Sequence, residues 1–255
     1  GASGLISGSI ISNMFANIKL AKNILKDKIL VSKISKIKMI ALAKRYKDFP
    51  KHGMVSSLFD NLSLQLPSIL IPKIFSFSIS GYFFFANKIV NIPSALISGS
   101  IGQVYLQKIT ENKNNGIEIF PIFKNTITKL FFIALPITII GYITSPYIFP
   151  LLFGEKWKIS GEIAQYLFLI FIIRFCVSPM SSSFILAMEL KKAAFWQYLY
   201  FISSILLFII SFYLELELKV FLLFYVVHEY VLYGIYMYLI ILSVKKIDIN
   251  IKENN

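Results

Sequence analysis

Between Gly81 and Lys108 runs GYFFFANKIVNIPSALISGSIGQVYLQK, apolar and long enough to cross a bilayer, yet carrying Asn87, Lys88, Asn91 and Pro93. An ionisable side chain at the centre of a span costs about 2.5 to 3.5 kcal/mol on insertion scales, so Lys88 is expected to face a bundle interior or a water-filled cavity. Pro93 removes a backbone donor and leaves the carbonyl of Ile89 to be satisfied by protein or cavity water. At helical spacing Asn87, Asn91, Ser94, Ser98 and Gly102 form one polar and small stripe, with Lys88 at its edge. What such a stripe can do is solvate a polar solute inside a membrane, and it reads as the wall of a lumen.

A second cation, Arg174, stands near the bilayer centre of another apolar run, twelve residues after Glu162 and seventeen before Lys191. Ser178, Pro179 and Ser181 to Ser183 follow it. Arginine at that depth needs a partner or water. A third polar line, Ser57, Asn61, Gln65 and Ser68, runs beside Asp60 in a stretch broken by Pro67 and Pro72. His228 and Glu229 interrupt the last apolar run. Asp60 and Glu229 are candidates for ion coupling. A solvated or capping role competes for Asp60, and a hydrogen bond from a neighbouring tyrosine would satisfy Glu229 equally well. Lys73 is expected to snorkel, Cys176 and His228 to be structural, and the Gly99 to Gly102 region to serve close packing. No phosphate-cradling glycine loop, zinc motif or nucleophile elbow occurs, and one cysteine and two histidines leave little for a disulfide or a metal site. No catalytic residue, metal or cofactor is therefore assigned.

The elements that must position these residues are membrane spans. With 56 % hydrophobic residues, 15 % charged and a mean hydropathy of +0.70, the chain has the composition of an all-α integral membrane protein. Six spans are expected, at 56–77, 81–105, 129–153, 162–187, 194–214 and 220–243, each near the ~20 residues that hydrocarbon of about 30 Å requires. Residues 1–18 read as the end of a preceding helix, with Gly4 and Gly8 at a spacing that suits close helix packing. The opening GASGLISGS does not look like a signal peptide, and the chain reads as a fragment that begins inside a helix. Residues 19–55 form a basic linker. Ile29, Ile34, Ile37, Ile40 and Ala41 recur there at helical spacing, as in a surface-lying amphipathic helix, though a solvated connector fits as well. Residues 244–255 are a tail.

The net charge of +13 could suggest nucleic acid in a soluble protein, but here its placement reports orientation. Eleven basic residues fall in the linker; Lys108, Lys113, Lys124, Lys129, Lys191, Lys192, Lys245, Lys246 and Lys252 fall in alternate loops and the tail. Only Lys156, Lys158 and Lys219 fall in the opposite loops. By the positive-inside rule, linker and C-terminus are cytoplasmic.

Three stretches, SLFDNLSLQLPSILI at 57–71, GYFFFANKIVNIPSALISGSIGQVYLQKI at 81–109 and LLFGEKWKISGEIAQYLFLIFIIRFCVSPMSSSFILA at 151–187, together resemble the Wzx-type polysaccharide flippases of the MOP superfamily. The resemblance implies the C-terminal six-helix lobe of a two-lobe transporter, preceded by the last helix of the first lobe and the inter-lobe linker. It implies a polyprenyl-diphosphate-linked oligosaccharide as cargo, passed across the inner (cytoplasmic) membrane through a cationic cavity that opens alternately to either side. It places Lys88 where the family's cavity-lining basic residue on its eighth helix falls. Lys88 and Arg174 would then bind the diphosphate, Asn87, Asn91 and Gln65 would line the path, and Asp60 or Glu229 would couple an ion. Membrane lipids and a polysaccharide assembly complex are the implied partners, with no nucleic acid. Three rivals remain: a cation-coupled drug exporter of the same superfamily, a membrane enzyme of glycan assembly, and a non-transporting membrane scaffold.

Overall fold

The computed structural model describes residues 35–46 and 53–254, with scattered positions between 8 and 22. The chain divides into two compact units, residues 1–48 and 49–255. The expectations for Gly4, Ile29 and Ile34 lie outside the described residues. In the first unit, α1 (Lys36–Arg45) is helical, as the spacing of Ile37 and Ile40 predicts, and both side chains are exposed.

The second unit is an up-and-down helical bundle: α2 (Val55–Ile74), α3 (Phe77–Asn114), α4 (Phe120–Phe153), α5 (Lys158–Val177), the short α6 (Ser182–Leu186), α7 (Leu190–Tyr213) and α8 (Leu218–Asn254). Local chemistry fixes its punctuation. The Ser76 hydroxyl accepts the Ile79 amide at 3.1 Å and opens α3. Gly154, at φ 95°, closes α4, and the FGEKW segment becomes a 3-10 turn, Glu155–Trp157. Pro179 ends α5 in a second 3-10 turn, Ser178–Ser181, where a proline cannot continue the α-helical bonding. The other prolines do not stop their helices: α3 continues through Pro93, and α4 through Pro136, Pro146 and Pro150.

Among the described residues five helices are long and apolar enough to cross a membrane: α3, α4, α5 with its flanking turns and α6, α7, and α8. The first expected span is also helical, but α2 is not among the five. Asp60, Asn61, Gln65 and Lys73, with four serines, dilute its apolar side chains. At 38, 34 and 37 residues, α3, α4 and α8 outrun their expected spans. At 1.5 Å per residue they measure roughly 51 to 57 Å, against about 30 Å of hydrocarbon. The residues read as a tail simply continue α8, with Val244, Ile247 and Ile251 buried. Outward-facing Phe132, Ile140, Tyr147 and Leu151 cover α4 with exposed apolar surface, which is what a lipid-facing helix presents. The protein is a multi-pass membrane protein.

At the centre stands α5, packed on α3, α4 and α8, with Ile163, Leu167, Ile170, Phe171 and Phe175 buried. Its closest neighbour is α4, and two glycines allow the approach. A Cβ on Gly161 would lie 2.5 Å from the Ser145 carbonyl oxygen, and one on Gly141 would lie 2.5 Å from the Phe168 ring. Gly102 meets Pro179 at ordinary contact distance while Gly99 faces open space, so the packing expected at 99–102 is found at Gly102, and the tighter approaches are at Gly141 and Gly161. On the other side α2 packs on α7 and α3.

One end of the bundle is laced by side chains. Asp248 on α8 accepts the amides of Ile119 (2.6 Å) and Phe120 (3.0 Å), capping α4 from another helix. Glu189 accepts Lys192 (2.6 Å), Lys246 (2.8 Å) and Ser243 (2.6 Å), and Lys252 pairs with Glu118 at 2.8 Å. Burial alone would push the Glu189 carboxyl up, but these donors outweigh it and hold it at about 2. Lys113 donates to the carbonyl of Leu186.

Candidate functional site

Two polar regions occupy the bundle, and the candidate residues divide between them. On α3 the stripe forms as its spacing predicts. Asn91 Nδ2 donates to the Asn87 carbonyl and to Asn87 Oδ1, both at 2.8 Å, which links the two side chains along one face of the helix. Both asparagines are half-buried and Lys88 is exposed. On the neighbouring α2, Gln65 and Asp60 are exposed, and Asn61 returns its amide to the Ser57 carbonyl at 2.7 Å. Lys88 has no ion-pair partner among the described residues. This region is an open face: α2 and α3 present a charge and several amides outward from the middle of a membrane bundle.

The other region is enclosed. Arg174 on α5 donates from Nε to Glu229 Oε2 at 2.8 Å, and its Nη2 lies 2.7 Å from Oε1. This two-point arrangement fixes both orientation and charge. Nη2 also donates to the Tyr200 hydroxyl (3.0 Å) and the Tyr225 hydroxyl (3.2 Å). The Tyr200 hydroxyl donates to Glu229 at 2.5 Å. The Tyr233 ring lies under the guanidinium at 5.9 Å, within cation–π range. Glu229 is completely buried, whereas Arg174 keeps 19 % of its side chain exposed. The site is therefore reachable from the arginine side only. Around it Trp196 stacks on Tyr236 at 3.9 Å and donates to the Leu232 carbonyl at 2.7 Å, while His228 meets Ser203 at 2.9 Å.

The sequence reading gave Arg174 and Glu229 separate roles; in the structure they are one ion pair, 55 residues apart in the chain. The tyrosines were missed as a group, although a signal for them exists. Tyr225, Glu229, Leu232 and Tyr236 recur at helical spacing on α8, as do Trp196, Tyr200 and Ser203 on α7, so each helix carries an aromatic stripe with polar tips. Asp60 stands between the two regions. Its carboxylate lies beside the Gln197 side chain and close enough to Arg174 for their charges to interact. No hydrogen bond or ion pair joins Lys88 to Arg174 among the described residues. Lys73 is exposed at the end of α2, and Cys176 is buried. No group of three or more potential metal ligands occurs among the described residues.

No curated protein and no solved structure matches this chain. Residues 6–162, more than half of it, match the family described as "Polysaccharide biosynthesis protein". That range takes in the open face and stops short of Arg174 and Glu229. The helical membrane bundle and the family match agree: this chain belongs to the polysaccharide biosynthesis protein family.

Proposed function

We propose that this chain is the C-terminal lobe of a flippase, which moves polyprenyl-diphosphate-linked oligosaccharide units across the cytoplasmic membrane by alternating access. The observation that carries the reading is the open polar face of α2 and α3 inside a family concerned with polysaccharide biosynthesis. A lysine without an ion-pair partner, at the depth of the bilayer, belongs beside an anion in a wet cavity. Lys88 meets the diphosphate as a mobile point charge, with Asn87, Asn91 and Gln65 supplying hydrogen bonds to cargo and water. The α2 helix needs no apolar surface on the side that faces water, which accounts for its modest hydropathy. The lysine-rich end, where α3 meets α4 and α8 terminates, lies in the cytoplasm.

Arg174 and Glu229 serve the cycle as a pair. Glu229 occupies the guanidinium in the resting arrangement, and a phosphate approaching from the exposed side competes with it for the same donors. A carboxylate displaced in this way is a natural proton acceptor, and Asp60, placed between the two regions, is the second candidate for coupling.

The test is complementation of a flippase-deficient cell by the complete gene. Wild type restores surface glycan and clears accumulated lipid-linked units, Lys88→Ala fails at equal expression, and Lys88→Arg keeps part of the activity. Full activity of Lys88→Ala would remove the cargo role from this residue. Failure of wild type together with dye efflux would favour a drug exporter.

A further inference from the structure

Near the lysine-rich end, α3 and α4 separate and leave a groove of about 430 Å³ between them. Its lining combines apolar side chains, among them Ile101, Val104 and Leu130, with the exposed Lys108, Lys129 and Asn125. Lys108 follows the apolar run of α3 and Lys129 precedes that of α4, so both amines lie where hydrocarbon gives way to headgroups.

Pairing and position together set these two lysines apart. At the same end of the bundle Lys192 and Lys246 are held by Glu189 and Lys252 by Glu118, while Lys124, Lys191 and Lys245 are also exposed and without an ion pair among the described residues but do not line this groove. Lys108 and Lys129 are both exposed and form no ion pair among the described residues, and no acidic side chain lines the groove. Two uncompensated cations over an apolar slot complement a molecule with a phosphate at one end and an acyl chain at the other. The groove is also distinct from the open polar face. None of Asn87, Asn91, Ser94, Ser98 and Gly102 lines it, and at 100° per residue Val104 lies about 80° and Lys108 about 40° beyond Ser94, the nearer edge of that stripe.

We propose that this groove is a binding site for an anionic phospholipid of the leaflet at the lysine-rich end. Its phosphate sits between Lys108 and Lys129 with the Asn125 amide beside it, and one acyl chain lies along Val104, Ile101 and Leu130. Basic pockets between membrane helices recognise anionic headgroups in this manner, each lysine acting as a point charge. The assignment does not depend on the cargo proposed above.

Native mass spectrometry of the purified protein, titrated with phosphatidylglycerol or with phosphatidylcholine of the same acyl chains, tests it. Wild type is expected to retain phosphatidylglycerol in preference to phosphatidylcholine. Lys108→Gln with Lys129→Gln should lower that preference by roughly thirtyfold, from about 1 kcal/mol per basic residue, while Lys124→Gln, a lysine of α4 that does not line the groove, should leave it intact. Val104→Trp, which fills the apolar part and keeps both amines, should reduce retention of both lipids. An unchanged preference in the double variant overturns the site, as does an equal loss with Lys124→Gln, which would indicate diffuse surface charge. Displacement of phosphatidylglycerol by inorganic phosphate at millimolar concentration assigns the lysines to a soluble phosphate instead. Should the double variant fail to fold, undiminished lipid retention by Val104→Trp is enough to reject the groove.

Discussion

The open face of α2 and α3 and the enclosed pair of α5 and α8 both place charge within the membrane, and they deal with it in opposite ways. Arg174 is surrounded by a carboxylate, two hydroxyls and an aromatic face drawn from four residues on two other helices. Lys88 has no such company, and its asparagine neighbours bond within their own helix. An enclosed charge contributes to the bundle's own integrity, and removing its partner leaves an ion buried without compensation. An open, unpaired charge is expected to contribute little to the bundle, and in the function proposed above it meets the cargo.

The largest effect should come from the enclosed side. Glu229→Ala strands the Arg174 guanidinium and is expected to cost about 3 to 5 kcal/mol, read as a fall in melting temperature in detergent. Replacing both partners, with Arg174→Met and Glu229→Leu, should recover most of that loss. Lys88→Ala should shift stability by no more than about 0.5 kcal/mol. A melting temperature more sensitive to Lys88 than to Glu229 would erase the distinction drawn here.

Packing gives the next contrast. Gly161→Ala drives a methyl group into the Ser145 carbonyl and should cost about 1 to 3 kcal/mol. Gly99→Ala, on α3 with open space around it, should be tolerated in the same melting assay.

The smallest effect concerns the laced end, where charges are paired but partly wet. The Glu189 carboxyl titrates at about 2 in the folded protein against its usual 4.5. Between those values the unfolded chain binds the extra proton, so the Glu189 contribution is complete above pH 4.5 and fades as pH falls toward 2. Glu189→Gln should flatten that part of the stability profile and cost about 1 kcal/mol or less near neutrality.

Much of this arrangement is legible in the chain. Long apolar runs separated by alternating basic loops give the helices and their order. The spacing of Asn87, Asn91, Ser94 and Ser98 gives the α3 stripe, because period and face are local properties. What escapes is azimuth and partnership. That Arg174 turns toward Glu229 rather than toward Lys88's side depends on how three helices rotate against one another, which no single segment encodes. The Gly161 contact escapes for the same reason: it depends on a carbonyl of a different helix. The Asp248 cap escapes because its acceptor and its donors lie 128 and 129 residues apart. Hydropathy also overstated the resemblance among the spans, since α2 carries Asp60, Asn61 and Gln65 among its apolar side chains and is not one of the five helices apolar enough to cross a membrane among the described residues.

That distant cap has a consequence in time. The amides of Ile119 and Phe120 are synthesised long before Asp248. At about 5 to 20 residues per second the interval is on the order of ten seconds. Throughout it the start of α4 can be served only by water or by passing partners, and the third long helix of the bundle waits for the last one. Asp248 is thus a late stitch of this bundle: a nascent chain halted before it would carry the apolar runs of all five membrane-crossing helices found among the described residues and still leave the start of α4 uncapped.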